Sequence, residues 1–495
     1  MRALPRLLLA PVMFLSFAPG PAAAADAPRR PPNIVYILAD DLGYNDVGCY
    51  GQQKIRTPNI DRLAKEGMRF TQHYSGSPVC APSRCCLMTG YHTGHAYIRT
   101  NRGGFEKEGQ EPIPPDTRTL ARLLKRQGYA TIGVGKWGLG GPDSTGLPTE
   151  QGFDSWFGYL CQAHAHNHYP SYLRRGAERV ELKNPEFAAH QRLKEAPQGP
   201  RGYDRFKGTQ YAPDLMAEEA LRQVRAHKDR PFFLYYATTV PHVAIQVPDD
   251  SLEEYLGKFP ETPYIGEKGY LPHPAPRAGY AAMITRMDRD VGRILDLIKE
   301  LGLEDDTLVF FSSDNGPTYN GGTDSEFFDS NGPLRGLKGS VYEGGIRVPM
   351  IARWPGKIAA GSTTDHPSAF WDLMPTVLEA VGAEPPGDID GISFLPTLLG
   401  KGGQKQHEYL YWELGNQQAV RAGDWKLVRV WNRKTKQPAE ELFNLKEDLA
   451  ESKDLAGERP AELARMRRLM EQARTPSEVF PSPFYDQPRK GARKP

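Results

Sequence analysis

Two pairs of hard oxygen donors and one cysteine motif set out the chemistry available to this 495-residue chain. Asp40-Asp41 and Asp314-Asn315 offer three carboxylates and an amide carbonyl, a donor set that suits calcium or magnesium better than zinc. A divalent ion would offset the mutual repulsion of the acids; the alternative is that Asp40 and Asp41 cap a turn after a strand. The segment CAPSRCCLMTG begins at Cys80, carries Arg84 and reads as the start of a helix running toward Thr89. A thiol at a helix N-terminus beside an arginine is acidified, which makes an ordinary cysteine nucleophile one reading. Burial or disulfide pairing is the other. A zinc site from Cys80, Cys85 and Cys86 fits poorly, because the spacing lacks a paired C-x2–4-C arrangement.

These residues need elements to bring them together. NIVYILADD, from Asn33 to Asp41, is a continuous apolar run ending in two acids, which predicts a strand buried on both faces whose end opens on a polar site. The same grammar recurs. A helix capped by Thr57-Pro58 and stopped at Gly67 leads to a strand over Met68 to Tyr74. Helix Leu120 to Gln127 leads to strand Ala130 to Val134 and then Gly135-Lys136. Helix Leu215 to Lys228 leads to strand Pro231 to Ala237 and then Pro241-His242. Helix Tyr280 to Leu301 leads to strand Thr307 to Ser312 and then Asp314-Asn315. Alternating helices and strands predict an α/β fold with a large, mostly parallel sheet flanked by helices, and right-handed crossovers carry four polar strand ends to one edge. Ligands bind at that edge in open α/β sheets.

From about Gly400 the pattern changes to short strand-like runs, Glu408 to Trp412, Gln418 to Ala422 and Trp425 to Trp431, followed by a helix from Ala461 to Ala473. This predicts a smaller C-terminal antiparallel sheet with a helix. The expected organisation is a signal segment at 1–25, a catalytic part at 26–390, a small α+β part at 391–480 and a Pro-, Lys- and Arg-rich tail at 481–495.

Composition narrows the function classes. Aromatics at 10% and an apolar fraction of 39% allow a substantial core, and 50 Gly with 44 Pro show no three-residue period, which excludes collagen. Lys+Arg 62 against Asp+Glu 60 falls to an even balance once Arg2 and Arg6 are set aside, so no bulk field points to nucleic acid or an anionic membrane. Arg2 and Arg6, the apolar run Leu7 to Ala18 and the alanines Ala22 to Ala25 form the pattern of a cleaved secretory signal, too short to span a bilayer. The expectation is an exported protein, periplasmic or extracellular, without a stable membrane anchor. Five cysteines, Cys49, Cys80, Cys85, Cys86 and Cys161, are too few for a disulfide scaffold, and an odd number leaves at least one unpaired.

The segment Cys80 to Gly90 matches C-x-P-S-R-x-x-L-x-T-G. DDLGY at Asp40, TPNIDRLAKEG at Thr57, GKW at Gly135, PH at Pro241, SSDNG at Ser312 and LRGLKGSVYEGGIRVP at Leu334 follow in order. Over roughly residues 32 to 450 the chain resembles the type I, formylglycine-dependent sulfatases, arylsulfatase A-like members of the alkaline phosphatase superfamily. The resemblance implies that a maturation enzyme converts Cys80 to formylglycine, and that Asp40, Asp41, Asp314 and Asn315 hold calcium, or less readily magnesium, beside it. It further implies that Arg84 holds the hydrated aldehyde, Lys136 and Lys338 stabilise the sulfuryl oxygens, and His242 protonates the leaving alkoxide. The activity implied is hydrolysis of sulfate esters, on sulfated sugars, polysaccharide fragments or other sulfated small molecules.

One departure stands out. Many relatives read G-K-W-H-L-G, whereas this chain has Gly138 where that histidine stands. His164 or His166, in CQAHAHNHYP, is the expected replacement, as base or sulfate donor; the alternative is local hydrogen bonding. Two competing functions stay open at this point: a phosphoester or phosphonate ester hydrolase of the same superfamily, and a non-catalytic carbohydrate-binding relative using aromatics such as Trp412, Trp425 and Trp431.

Overall fold

The computed structural model describes residues 30–103 and 108–485. The signal segment and all but the first residues of the basic tail lie outside them. From Pro31 the described residues form one compact unit. Its strands, in chain order, are β1 (Asn33–Asp40), β2 (Met68–Phe70), β3 (His73–Tyr74), β4 (Ala130–Lys136), β5 (Ser155–Tyr159), β6 (Tyr172–Arg175), β7 (Glu178–Glu181), β8 (Phe232–Pro241), β9 (Thr307–Ser313), β10 (Met350–Arg353), β11 (Ser362–Thr364), β12 (Ser368–Ala369), β13 (Leu410–Leu414), β14 (Gln417–Ala422), β15 (Trp425–Asn432) and β16 (Gln437–Asn444).

Ten of them make one mixed sheet in the order β11-β2-β10-β9-β1-β8-β4-β5-β6-β7. The four strands expected to end in polar residues, β9, β1, β8 and β4, are consecutive and parallel, with Tyr36 beside both Tyr235 and Phe310 and Val134 beside Tyr236. Side chains of β1 alternate between two cores. Ile34, Tyr36 and Leu38 join one that includes the helix Cys80–Thr89, while Val35, Ile37 and Ala39 join another built from the helices Ala212–Ala226 and Pro276–Glu300. Burial on both faces is why these strands read as unbroken apolar runs.

Several elements differ from the sequence reading. The run Met68 to Tyr74 divides: β2 pairs antiparallel with β10, and β3 pairs with β12 in a separate two-stranded sheet. The short β5, which continues the parallel sheet beside β4, shows no apolar run because Gly158 interrupts it. The C-terminal sheet has four antiparallel strands; β16, an edge strand reading QPAEELFN, is too polar and Pro-containing to signal itself. One face of this sheet, with Leu410, Trp412, Ala419, Val428 and Phe443, packs into the main core, and the other, with Tyr411, Val420, Leu427 and Leu442, packs on the helix Pro460–Gln472. Trp412 is fully buried and donates its indole N–H to the Ser75 carbonyl at 2.9 Å, so it is a core residue and not a sugar platform. Trp431 packs edge-on against Phe484. No helix among the described residues is long and apolar enough to cross a membrane.

Candidate active site

Asp40 closes β1 and Asp41 follows it in a left-handed conformation, φ +66°. Successive strand residues face opposite ways; this turn of the backbone places both carboxylates in one pocket, with the Asp41 N–H donating to Asp314 Oδ1 at 3.1 Å. Asp314 and Asn315 enter from the end of neighbouring β9. Asn315 Nδ2 donates to Asp41 Oδ1 at 2.7 Å and to the Gly316 carbonyl at 2.9 Å, while Asn315 Oδ1 is buried with no hydrogen-bond partner.

Cys80 opens the helix Cys80–Thr89, and its Sγ lies 3.6 Å from Asp40 Oδ1. Two lysines converge on it from different elements. Lys136 Nζ, at the end of β4, is 3.4 Å from Sγ and 2.7 Å from Asp40 Oδ2; Lys338 Nζ, on a loop, is 3.5 Å from Sγ and 2.7 Å from Asp41 Oδ1. The turn at Lys136 depends on Gly135, φ +119°, where a Cβ would stand 1.8 Å from the Ala237 carbonyl oxygen. Arg84, one turn after Cys80, is fully buried: Nε and Nη2 bond Asp314 Oδ2 at 3.0 and 2.8 Å, and Nη1 bonds the Lys136 carbonyl at 2.5 Å. His242, after β8, donates Nδ1–H to its neighbour's carbonyl at Val243, 2.5 Å away, and holds Nε2 3.6 Å from Asp41 Oδ2.

Three carboxylates face three permanent cations in this pocket. Burial pushes Asp40 up, but Lys136, His242, Arg84 and Lys338 together hold it well below the usual carboxylate range. Asp41 and Asp314 are raised by burial, and the neighbouring Asp40 carboxylate raises both further. These acids therefore retain repulsion that the lysines do not remove. A divalent ion fits this donor set: Asp40 and Asp41 both repel Asp314, Asn315 Oδ1 is buried without a partner, and ligand atoms of Asp40, Asp41, Cys80 and His242 all lie within 4.8 Å of one another. With such an ion the balanced pocket becomes two units positive and so recruits an anion.

The thiol itself behaves differently from the sequence reading. Burial pushes Cys80 up to about 12 against the pull of Lys136 and Lys338, and Asp40 and Asp314 act in the same upward sense. Burial therefore opposes the acidification that the helix N-terminus and the two lysines favour. Cys85 and Cys86 point into the core, away from any shared metal, and all five cysteines are unpaired.

The space opposite Gly138 is filled by neither expected histidine. A Cβ at Gly138, φ +84°, would stand 1.9 Å from Gln162 Nε2, so the Gln162 side chain occupies that volume, with both amide atoms buried and unpartnered. His164 turns away: its ring centroid lies 4.2 Å from that of Tyr172, and the charges acting on it are Glu108, Arg174 and Arg179. His166 turns inward and stacks on His242, with centroids 5.0 Å apart and planes at 14°. Sequence reasoning missed Gln162; the absent side chain at Gly138 was the one available signal, and it does not say which residue fills the gap.

A family profile described as Sulfatase matches residues 32–383. The chain belongs to the sulfatase family. A second profile, described as N-sulphoglucosamine sulphohydrolase, C-terminal, matches residues 337–475 of this sulfatase. It is 32% identical over 476 residues to N-acetylgalactosamine-6-sulfatase of Mus musculus, covering 93% of this chain and 84% of that one. It is 35% identical over 432 residues to arylsulfatase A of Homo sapiens, covering 82% and 76%. Among solved structures, Ps i-CgsB in complex with k-i-k-neocarrahexaose superposes with a TM-score of 0.72 at 29% identity, over 90% of this chain and 92% of that one. This sulfatase is accordingly an enzyme of the alkaline phosphatase-like superfamily that hydrolyses sulfate esters. A non-catalytic binding role is set aside.

Proposed function

We propose that this sulfatase is exported and removes sulfate from an O-sulfated sugar or polysaccharide fragment, using calcium at Asp40, Asp41, Asp314 and Asn315 and a formylglycine derived from Cys80 by a maturation enzyme. The carrying observation is the convergence of Lys136 and Lys338 on Cys80 Sγ, at 3.4 and 3.5 Å, directly beside the carboxylate cluster. The sugar class is supported by relatives that act on or bind sugars: N-acetylgalactosamine-6-sulfatase by its name, and Ps i-CgsB by its bound neocarrahexaose. Calcium held by Asp40, Asp41, Asp314 and Asn315 would supply Lewis-acid polarisation of the sulfate group, and formylglycine at position 80 would supply the nucleophile.

The chain's own residues perform the remaining work. Arg84 is locked between Asp314 and the Lys136 carbonyl, which orients the helix start and keeps the residue-80 side chain facing the acids. Lys136 and Lys338 stand on either side of that side chain, placed to pair with two sulfuryl oxygens as charge shifts among them. Lys338 is the more accessible, 15% exposed against none for Lys136, and reads as the group at the pocket mouth. His242 is held well below its usual range by burial, Lys338 and Lys136, while Asp40 and the Val243 carbonyl act in the opposite sense. A sulfate ester bound between the lysines brings a negative charge that offsets their push, raising the imidazole so that Nε2 can carry a proton to the leaving oxygen. The catalytic part at 26–390 supplies these groups, and the C-terminal part at 391–480 braces the Lys338 loop.

The test is peptide mass spectrometry across Cys80 in protein co-produced with a formylglycine-generating system, paired with sulfate release from a chromogenic aryl sulfate. Conversion with release is expected. Unconverted cysteine under competent maturation overturns the nucleophile, and conversion with phosphate but not sulfate release points to phosphoester chemistry.

A further inference from the structure

His166 belongs to a directed chain of hydrogen bonds that begins at a peptide bond. The backbone N–H of Tyr270 donates to His190 Nδ1 at 3.1 Å, and His190 Nε2 lies 3.0 Å from His166 Nδ1. A peptide N–H can only donate, so His190 Nδ1 is bare and its ring hydrogen sits on Nε2. That hydrogen goes to His166 Nδ1, which is therefore bare as well, and the hydrogen of His166 sits on Nε2. The two rings are held in this arrangement by the Tyr270 ring, whose centroid is 4.5 Å from His190 and 5.0 Å from His166.

The His166 ring lies beside the reaction pocket. Its ring stacks on His242 at 5.0 Å, and the charges that act on it are His242, Lys136, His190 and Lys338. His166 Nε2 has no partner among the described residues. An N–H beside the cationic end of an anion site is a donor in want of an acceptor, and it cannot serve as a base at that nitrogen.

We propose that His166 donates its Nε2–H to the bound sulfate ester, and that His190, seated on the Tyr270 peptide N–H, is the positioning residue that fixes the donor tautomer. The identity of the ligand rests on the sulfatase reading; the tautomer does not.

Two substitutions at His190 separate positioning from mere support. His190→Gln keeps an N–H facing His166 Nδ1, whereas His190→Glu presents an acceptor there, moves the hydrogen of His166 to Nδ1 and leaves Nε2 bare. In the calcium-loaded, matured protein, inorganic sulfate binding by calorimetry is expected to weaken about tenfold in His166→Ala and His190→Glu, the effect of losing one hydrogen bond to a charged group. kcat/KM on a chromogenic aryl sulfate should fall in parallel, and His190→Gln should lose far less on both counts. Equal losses in His190→Gln and His190→Glu, with unchanged melting temperatures, overturn the tautomer argument, as does native sulfate binding in His190→Glu. If the native protein neither binds sulfate nor releases it, the sulfatase reading fails by itself. Histidine 15N chemical shifts then still decide the tautomer: a protonated His166 Nδ1 in the native protein overturns it.

Discussion

Arg84 carries more of this site than its single formal charge suggests. Its guanidinium is fully buried and forms a paired contact with Asp314, so Arg84→Ala leaves a buried carboxylate without a counter-charge. We expect a loss of about 3–5 kcal/mol in urea unfolding, with Arg84→Lys intermediate because an ammonium cannot keep both the Asp314 and the Lys136 carbonyl bonds. Lys338 differs in degree. It is partly exposed but pairs with the buried Asp41, so Lys338→Ala should lower the melting temperature less than Arg84→Ala does while lowering kcat on an aryl sulfate by about 10²-fold or more. A Lys338→Ala variant with native turnover would remove this residue from the anion site. Chelation tests the carboxylate cluster: EDTA should abolish turnover and lower the melting temperature, and calcium should restore both, because the uncompensated acids repel one another.

At the scale of elements, the loop after β4 and the loop after β5 are fitted to each other. Gly138→Ala introduces a Cβ into the volume of the Gln162 amide at a left-handed φ, and should destabilise the fold by roughly 2 kcal/mol. Adding Gln162→Ala should recover the steric share and leave the backbone share, a coupling that a double-mutant cycle in urea reads directly; purely additive effects would refute the fit. The C-terminal sheet acts on the site through a buried cluster. Lys426 Nζ, on β15, donates to Glu343 Oε1 and forms an ion pair with Glu451 Oε1, each at 2.9 Å, and Glu343 closes the loop that carries Lys338. Tyr74 also donates to Glu343 at 2.6 Å. The small sheet thus helps hold the candidate site, because the loop bearing Lys338 ends on its ion cluster.

For the whole molecule, buried neutral histidines contribute to the acid side of the stability profile. Burial lowers His73 to about 3 and His273 to about 3, against an ordinary value near 6.5. The unfolded chain therefore binds more protons than the folded one between those values, so stability is full above pH 6.5 and lost as pH falls toward 3. Each ring contributes roughly 1 kcal/mol per pH unit over that window. Thermal melts from pH 7 to 4 should show a falling midpoint, and His73→Gln, which removes one such group while keeping a partner for Ser368, should make the slope shallower. An unchanged slope in that variant would exclude His73 as a contributor.

The sequence alone determined the alternation of helices and strands, the four polar strand ends, the cysteine motif and the family, because each is written in local spacing: apolar runs for strands buried on both faces, capping signals, and motif residues only a few positions apart. It did not contain β5 or β16, whose glycine and polar residues carry no period, nor the fate of Trp412, which depends on what the small sheet packs against. The state of Cys80 was also out of reach. A helix N-terminus and an arginine favour thiolate locally, while complete burial and two acids from distant strands act in the opposite sense. Gln162 in the volume beside Gly138, and His190 behind His166, lie 24 and 24 positions from their partners in the chain. Such pairings are settled by how loops close over a sheet edge, where packing and hydrogen-bond direction act between residues that sequence spacing does not connect.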